Sequence, residues 1–281
     1  VIESRGLGDV YKRQLLIHAF LFENSSYLNK WSKKLPNAKF QNSYLNFIAS
    51  HDGIGMRPTE GILNERSLNN FLKRLKKNGS KFSYRKVQNK SRKVYEANIT
   101  VFDALKKSDN DPNGKFFLER YIAAHAIMIS FEGVPAIYFN SLFGKSNDEA
   151  KYVITGNNRD INRYKWNYEN IKKKLNNKNS KQSIFYQNLG KLLEIKRKQK
   201  AFHPNAKRLN INLGSKLFCF KRISLDKKQT IISITNCSSV DQYPKLNKKY
   251  SKWKNIINPK RNSLNKSFKL KPFETMWLSN K

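Results

Sequence analysis

The chain has 281 residues, a length that accommodates one large domain or two ordinary ones. Hydrophobic residues make up 38% of it, which is enough apolar material for a folded core and argues against a disordered chain. The formal net charge of +36 comes mostly from lysines spread along the chain, with no zinc-finger, heptad-linked basic or RNA-recognition motif. Only the charge therefore supports a nucleic-acid partner, and we expect no specific one.

The remaining composition argues against metal and membrane chemistry. Cys219 and Cys237 lie in apolar, strand-like runs without metal-ligand spacing, so we expect buried free thiols and no metal site. The longest apolar run, Tyr121 to Phe139, contains His, Glu, Gly and Pro and does not predict a membrane span. No signal peptide is visible, and we expect a cytoplasmic protein with no membrane partner.

The beginning of the chain differs in character from the rest of the sequence. Val1 to Gln14 has no initiator Met and no periodicity, and Gly8 to Gln14 resembles a translated sequencing adaptor. We expect residues 1–14 to be a non-native leader and the protein proper to begin near Leu15, within a domain.

The first half of the chain alternates helical and strand-like segments. Apolar residues at helical spacing predict a helix from Leu15 to Leu35. Tyr44 to Ala49 reads as a buried strand, after which Ser50, His51 and Asp52 lead into a loop. The next segments are predicted as an amphipathic helix (Glu65 to Lys77), a basic loop (Lys81 to Arg92), an ordered segment (Val94 to Leu105) and a turn (Asp109 to Gly114).

The second half continues the alternation and then changes character. It contains an apolar helix (Phe116 to Phe131), a buried strand (Ala136 to Phe139), a long loop with Gly144 and Gly156, and a helix (Ser183 to Lys200). From Leu209 onward short strands predict a small all-β unit: Leu217 to Arg222, Thr230 to Thr235, Phe268 to Leu270 and Thr275 to Leu278. The alternation predicts an α/β fold, either a (β/α) barrel or an open doubly wound sheet.

Three segments carry candidate chemistry. His51 and Asp52 directly follow a strand, where a carboxylate could stabilise an oxocarbenium-like transition state, although the dipeptide alone favours a loop-capping aspartate. Arg159 to Arg163 could bind sugar hydroxyls, carboxylates or phosphate, or could be a solvated charge run. Tyr84 to Asn98 could wall a sugar subsite or be an ordinary exposed loop.

Longer motifs resemble the sucrose-phosphorylase branch of the α-amylase superfamily. They occur in that family's order at compatible spacing, and together they are more specific than any one of them. The motifs are Asn46 to Gly55 (NFIASHDGIG), Arg57-Pro58, Glu60 to Leu63 (EGIL), Gly133 to Gly144 (GVPAIYFNSLFG), Arg159 to Arg163 (RDINR) and Ala201 to Asn205 (AFHPN).

The resemblance implies a (β/α)8 TIM barrel with an inserted subdomain and a C-terminal β domain. Residues 15–53 and 109–204 would form part of the catalytic barrel, residues 54–108 the insertion and residues 205–281 the β domain. It also implies a retaining phosphorylase that converts an α-glucoside and inorganic phosphate into α-glucose 1-phosphate and a free acceptor, with phosphate as co-substrate and no cofactor.

Residue roles follow by the same resemblance. Asp52 matches the carboxylate that stabilises the transition state, and His51 and Arg163 match residues of the glucose subsite. Glu96 falls in the acceptor-side loop, where strict sucrose phosphorylases tend to carry Gln. This favours relatives that act on glucosylglycerate or sucrose 6-phosphate, and Arg57, with Arg85 and Lys86, would suit such an anionic acceptor.

The family's nucleophile and acid/base belong to earlier barrel strands that these 281 residues do not contain. We therefore expect the chain by itself to be inactive. A hydrolase or transglucosidase of the same superfamily is the alternative within this fold, and a basic nucleic-acid-binding protein is the alternative from another class.

Overall fold

The computed structural model describes residues 7–39, 42–86, 92–260 and 268–281. Its helices are α1 (Leu7–Leu21), α2 (Ser26–Lys34), α3 (Glu65–Lys77), α4 (Val101–Ala104), α5 (Phe117–Ser130), α6 (Phe139–Leu142), α7 (Glu149–Thr155), α8 (Tyr168–Asn176) and α9 (Lys181–Arg197). Its strands are β1 (Leu45–Asn46), β2 (Ile54–Gly55), β3 (Lys81–Lys86), β4 (Arg92–Asn98), β5 (Val134–Pro135), β6 (Lys207–Ile211), β7 (Leu217–Ile223), β8 (Thr230–Asn236), β9 (Lys254–Asn255) and β10 (Thr275–Ser279). Further 3₁₀ turns include Arg57–Thr59 and Asn158–Asn162.

The helix predicted from Leu15 to Leu35 is two helices, and the first begins at Leu7. The break falls at Glu23, whose φ is 52°, and at Ser25. The Ser25 hydroxyl donates a 2.7 Å hydrogen bond to the carbonyl oxygen of Leu217 in β7, and such a bond favours a turn over a continued helix. The prediction of a single helix was therefore wrong. The helix is interrupted at Ser25, where the chain is hydrogen-bonded to the distant strand β7.

Three long helices occur where the sequence predicts them. Helix α3 has the predicted bounds and begins at Asn64, whose side chain accepts a hydrogen bond from the Ser67 amide. Helix α5 lies within the predicted segment and is buried from Arg120 to Ser130 except for Ile122. Helix α9 begins two residues before the prediction because the Ser180 side chain caps it through the Ser183 amide.

A parallel pair of strands lies next to α5. Leu45 of β1 pairs with Val134 of β5, and the Val134 amide donates a 2.7 Å hydrogen bond to the Tyr44 carbonyl oxygen. Gly133 permits this approach, because it has φ of 116° and a Cβ there would collide with Tyr44. Strand β1 is shorter than the predicted strand from Tyr44 to Ala49. The prediction of a strand from Ala136 to Phe139 was wrong, since β5 ends at Pro135 and α6 begins at Phe139.

The inserted segment contains a three-stranded antiparallel sheet in the order β2-β4-β3. The sequence predicts a basic loop from Lys81 to Arg92, but Lys81–Lys86 is strand β3, paired with β4 across residues 92–98. Phe82 packs against the main core, while the lysines and arginine of the strand hide the alternation that marks it. Residues 87–91 of the predicted loop lie outside the described part of the chain, and Arg92 begins β4.

The long loop predicted after residue 140 also contains helices. Asp148 caps α7 by accepting a hydrogen bond from the Lys151 amide, and Asn167 caps α8 through the Asn170 amide. Both helices are short and polar, so their apolar periodicity is too weak to reveal them in the sequence.

The C-terminal region contains a five-stranded antiparallel sheet in the order β6-β7-β8-β10-β9. One face, with Phe218, Phe220 and Trp277, joins the main core beside α1 and α5, and the other forms a smaller core with Cys219. Three of the four predicted strands are confirmed. The fourth, Phe268 to Leu270, contributes only a bridge between Leu270 and Gln242. Cys219 and Cys237 are buried free thiols, as predicted.

No helix in the described ranges is both long and apolar enough to cross a membrane.

Candidate active site

The candidate site begins where the chain leaves β1. Ile48 is buried, and the chain then turns through Ser50, His51 and Asp52 before it enters β2. Gly53 lies tightly against β4, since a Cβ at this position would be 2.7 Å from Glu96 Cγ and 2.8 Å from the Ala97 carbonyl oxygen. The absence of a side chain at residue 53 thus brings Asp52 close to β4.

Two guanidinium groups face the Asp52 carboxylate. Asp52 Oδ1 lies 3.3 Å from Arg163 Nη2 and 3.3 Å from Arg159 Nη1. His51 Nε2 lies 3.5 Å from the other carboxylate oxygen, Oδ2. The Asp52 side chain is 37% exposed, so this carboxylate can reach a ligand while its neighbours orient it.

Glu96 enters the same cluster from strand β4. It pairs with Gly55 of β2 and Ser83 of β3, and its side chain is 6% exposed. Arg159 Nε donates a 3.1 Å hydrogen bond to Glu96 Oε2. The hydrogen bond to Glu96, followed by the charge of that carboxylate, raises the pKa of Arg159. One arginine therefore joins Asp52 to Glu96.

The 3₁₀ turn Asn158–Asn162 presents these arginines. Arg163 Nε donates a 3.4 Å hydrogen bond to the His51 carbonyl oxygen, and Tyr138 Oη donates a 2.7 Å hydrogen bond to the Asn162 carbonyl oxygen. Lys151 Nζ lies 3.7 Å from Asp160, the buried acidic residue of the turn. The charge run is thus a folded part of the site and not a solvated face.

Arg13 lies beneath the loop, on α1. Its guanidinium donates hydrogen bonds to the Gly53 carbonyl oxygen and, at 3.4 Å, to Ser50 Oγ. Burial lowers the pKa of Arg13 to about 10, and the charges of Glu96 and Asp52 oppose this shift. Arg13 lies within residues 1–14, which the sequence predicts to be a non-native leader, and no motif marks it.

The cationic acceptor residues expected from the sequence do not join the cluster. Arg57 is exposed and makes no side-chain hydrogen bond or ion pair with any described residue. Arg85 is paired with Glu60 at 2.7 Å, and Lys86 is exposed at the end of β3. Of this trio, Arg85 is paired with a carboxylate, whereas Arg57 and Lys86 present cations that no described carboxylate neutralises.

Two cavities that do not include Asp52 are larger than the small cavity beside it. One, of about 890 Å³, lies between α2 and β6, and another, of about 730 Å³, lies between β5 and the end of α9. Asn29 and Asn210, which line the first cavity, direct their polar atoms at other parts of the protein. The convergence of charges at Asp52 therefore outweighs cavity size as a sign of function.

Across residues 7–39, 42–86, 92–260 and 268–281, no three His, Cys, Asp or Glu side chains lie close enough together to hold a metal ion.

Known proteins resemble both the sequence and the fold. The chain is 30% identical over 264 residues to a glucosylglycerate phosphorylase of Escherichia coli, covering 94% of this chain and 46% of that protein. It is 32% identical over 228 residues to a glucosylglycerate phosphorylase of Spirochaeta thermophila, covering 81% of this chain and 38% of that protein. The chain is sucrose-phosphorylase-like. No family model matches it.

A solved structure supports the fold of this sucrose-phosphorylase-like chain. The sucrose 6F-phosphate phosphorylase of Thermoanaerobacter thermosaccharolyticum superposes with a TM-score of 0.63 at 20% identity, over 81% of this chain and 45% of that one. At this identity the likeness concerns the fold alone. The chain spans less than half the length of the relatives that it matches.

Proposed function

We propose that the chain is the C-terminal part of a retaining α-glucoside phosphorylase. The complete protein would transfer a glucosyl group from an α-glucoside to inorganic phosphate, giving α-glucose 1-phosphate and a free acceptor. The observation that carries the proposal is the Asp52 cluster, because the sequence similarity to sugar phosphorylases coincides with a carboxylate oriented by Arg159 and Arg163.

The fold fits a partial (β/α)8 barrel in this proposal. The parallel strands β1 and β5 would be neighbouring barrel strands, and α5 would be the helix between them. The loop that carries His51 and Asp52 would then lie at the carboxyl ends of the strands. This is where TIM-barrel enzymes place their active sites. Residues 54–108 would be the insertion and residues 205–281 the β domain.

Asp52 would act electrostatically on the reacting sugar. A glucosyl transition state carries positive charge near the anomeric carbon, and a nearby fixed carboxylate stabilises that charge. Arg163 and His51 would keep Asp52 in place and bind sugar hydroxyl groups. The nucleophile and the acid/base would come from barrel strands outside these 281 residues, so the chain alone would not turn over substrate.

The acceptor side would be set by Glu96 and Arg57. Glu96 is buried against Arg159, whereas Arg57 is an unneutralised cation on the turn after β2. We assign the substrate to the sucrose, sucrose 6-phosphate or glucosylglycerate class, and Arg57 favours the anionic members. Both sequence relatives are named glucosylglycerate phosphorylases, and glycerate is an anionic acceptor.

Product analysis tests the proposed function. The complete reading frame that contains this chain would be expressed and incubated with sucrose, sucrose 6-phosphate and glucosylglycerate, each with and without inorganic phosphate. We expect phosphate-dependent release of α-glucose 1-phosphate from at least one substrate. Release of free glucose at a rate independent of phosphate would contradict a phosphorylase and favour a hydrolase or transglucosidase of the same superfamily.

A further inference from the structure

We propose that Arg159 is a positioning residue that holds Asp52 and Glu96 in one arrangement, so that the reacting-sugar side and the acceptor side of the site move as a unit. The inference rests on the proposed function and deepens it. It concerns a residue whose motif, RDINR, is from the sequence either a ligand-binding segment or a solvated charge run.

The geometry of the guanidinium carries the inference. Arg159 uses separate nitrogens for its two partners: Nη1 lies 3.3 Å from Asp52 Oδ1 and Nε lies 3.1 Å from Glu96 Oε2. A planar guanidinium holds its N–H groups in a fixed fork, so the position of one carboxylate constrains the other. Lysine, with a single ammonium on a flexible stem, could not fix both directions.

The backbone around Arg159 strengthens this link. Asn158, the preceding residue, donates hydrogen bonds of 3.2 Å to the Phe82 carbonyl oxygen and 3.1 Å to Ser83 Oγ, both in strand β3. At the other end of the turn, Asn162 Nδ2 approaches the Asp52 carbonyl oxygen at 3.5 Å. The 3₁₀ turn therefore spans from the β3–β4 hairpin to the Asp52 loop, with Arg159 between them.

Arg163 does not perform the same task. Its guanidinium faces Asp52, the His51 carbonyl oxygen and, at 3.9 Å, Asp160, but none of the described residues of β3 and β4. Glu96, with only 6% of its side chain exposed, has Arg159 as its ion-pair partner among the described residues. Since a buried carboxylate left without a partner is strongly unfavourable, removing Arg159 should displace Glu96 as well as loosen Asp52.

The consequence concerns both steps of a transfer reaction. Displacement of Glu96 should change acceptor binding, and loosening of Asp52 should slow glucosyl transfer. We expect Arg159→Gln to lower kcat/KM for the α-glucoside by about tenfold to a hundredfold, the range for loss of charge-assisted hydrogen bonds. We also expect a change in KM for the free acceptor in the reverse direction, which a uniform loss of folded protein would not cause.

The test uses the complete protein and any glucosyl transfer that it performs, to phosphate or to water. Four proteins are compared with wild type: Arg159→Gln, Arg159→Lys, Glu96→Gln and the double variant Arg159→Gln with Glu96→Gln. Arg66→Gln, which removes an exposed arginine from α3, is the matched control for loss of one charge. Melting temperatures and circular dichroism show whether each variant is folded.

Coupling between the two residues is the decisive result. The double variant should lie within about threefold of Glu96→Gln alone, because removal of either partner abolishes the same arrangement, and Arg159→Lys should restore only part of the rate. Effects that multiply independently, or an Arg159→Gln protein that behaves like Arg66→Gln, would overturn the positioning role. Turnover to glucose alone would contradict phosphorolysis while still measuring the coupling, and no turnover by the wild type would overturn both proposals.

Discussion

Arg222 in strand β7 donates a 2.9 Å hydrogen bond to the carbonyl oxygen of Ser130, the last residue of helix α5. The same guanidinium donates to the carbonyl oxygens of His203, at 2.7 Å, and Ala206, at 3.1 Å. The side chain is completely buried, and burial lowers its pKa to about 10. One cation thus satisfies three carbonyl groups where the C-terminal sheet meets the helix before β5.

We expect Arg222→Met to destabilise the protein strongly. The change leaves the carbonyl oxygens of Ser130 and Ala206 without the Arg222 donor, whereas the His203 carbonyl oxygen keeps a 2.9 Å hydrogen bond from the Ala206 amide. Each unsatisfied buried group costs about 1–3 kcal/mol. Urea denaturation should show the loss as a lower free energy of unfolding. The exposed Arg197→Met variant on α9 is the control, and equal stabilities of the two variants would contradict the role assigned to Arg222.

The stability of the chain should fall as the pH falls from about 6.5 to about 4. His18 and His125 are buried, and burial lowers the pKa of each from 6.5 to about 4. Between these values the unfolded state binds more protons than the folded state, so stability rises with pH across this window and is lost below it. His18 Nδ1 has no hydrogen-bond partner among the described residues, and the ring packs beside Phe22 and Phe71.

His18→Phe should therefore weaken the dependence of the unfolding free energy on pH, and it removes no hydrogen bond to Nδ1 from a described residue. The measurement is the free energy of unfolding in urea at several pH values between 4 and 7. His203→Gln, which changes an exposed histidine, should keep the wild-type slope. An unchanged slope in His18→Phe would show that this residue does not titrate on unfolding.

Two neighbouring glycines offer a matched test of how closely the Asp52 loop packs on β4. A Cβ at Gly53 would lie 2.7 Å from both Asn98 Oδ1 and Glu96 Cγ, whereas a Cβ at Gly55 meets no atom within 4 Å. Gly53→Ala should cost about 1–3 kcal/mol of stability through overpacking, and it should reduce turnover of the complete protein. Gly55→Ala should do neither. Similar behaviour of the two variants would show that this close approach is unimportant.

Arg57 should discriminate between acceptors by charge. Arg57→Ala in the complete protein should slow reactions of anionic acceptors, such as glycerate, more than those of neutral ones. We expect a selective loss of about tenfold, the usual value of a charge-assisted hydrogen bond that is partly exposed. Arg66→Ala is the control. If the ratio of rates on neutral and anionic acceptors does not change, Arg57 does not contact the acceptor's charge.

The sequence was most informative where local patterns decide the structure. Helix α3 matches its predicted bounds because its apolar face and Asn64 cap are local signals. His51 and Asp52 lie just after β1, as the strand-then-polar pattern indicates. The family resemblance assigns Arg163 to the same subsite as His51, and in the structure the Arg163 guanidinium lies beside Asp52.

Long-range partners account for what sequence reasoning missed. Strand β3 depends on pairing with β4, and its Lys and Arg residues resemble those of the surrounding loops. The sequence offers Arg159 either as a ligand-binding cation or as part of a solvated charge run, and the folded position of Glu96 is what gives it a positioning role. A single sequence without these contacts cannot distinguish a positioned arginine from a solvated one.

Substitution of Asp52 tests the central claim most directly. The complete protein and its Asp52→Asn variant would be assayed for α-glucose 1-phosphate release, with Asp226→Asn, in the exposed turn between β7 and β8, as the control. We predict a loss of about a hundredfold to a thousandfold in kcat for Asp52→Asn, typical for removal of one group that stabilises transition-state charge. A variant that is folded and as active as the Asp226→Asn control would contradict the assignment of the active site to Asp52.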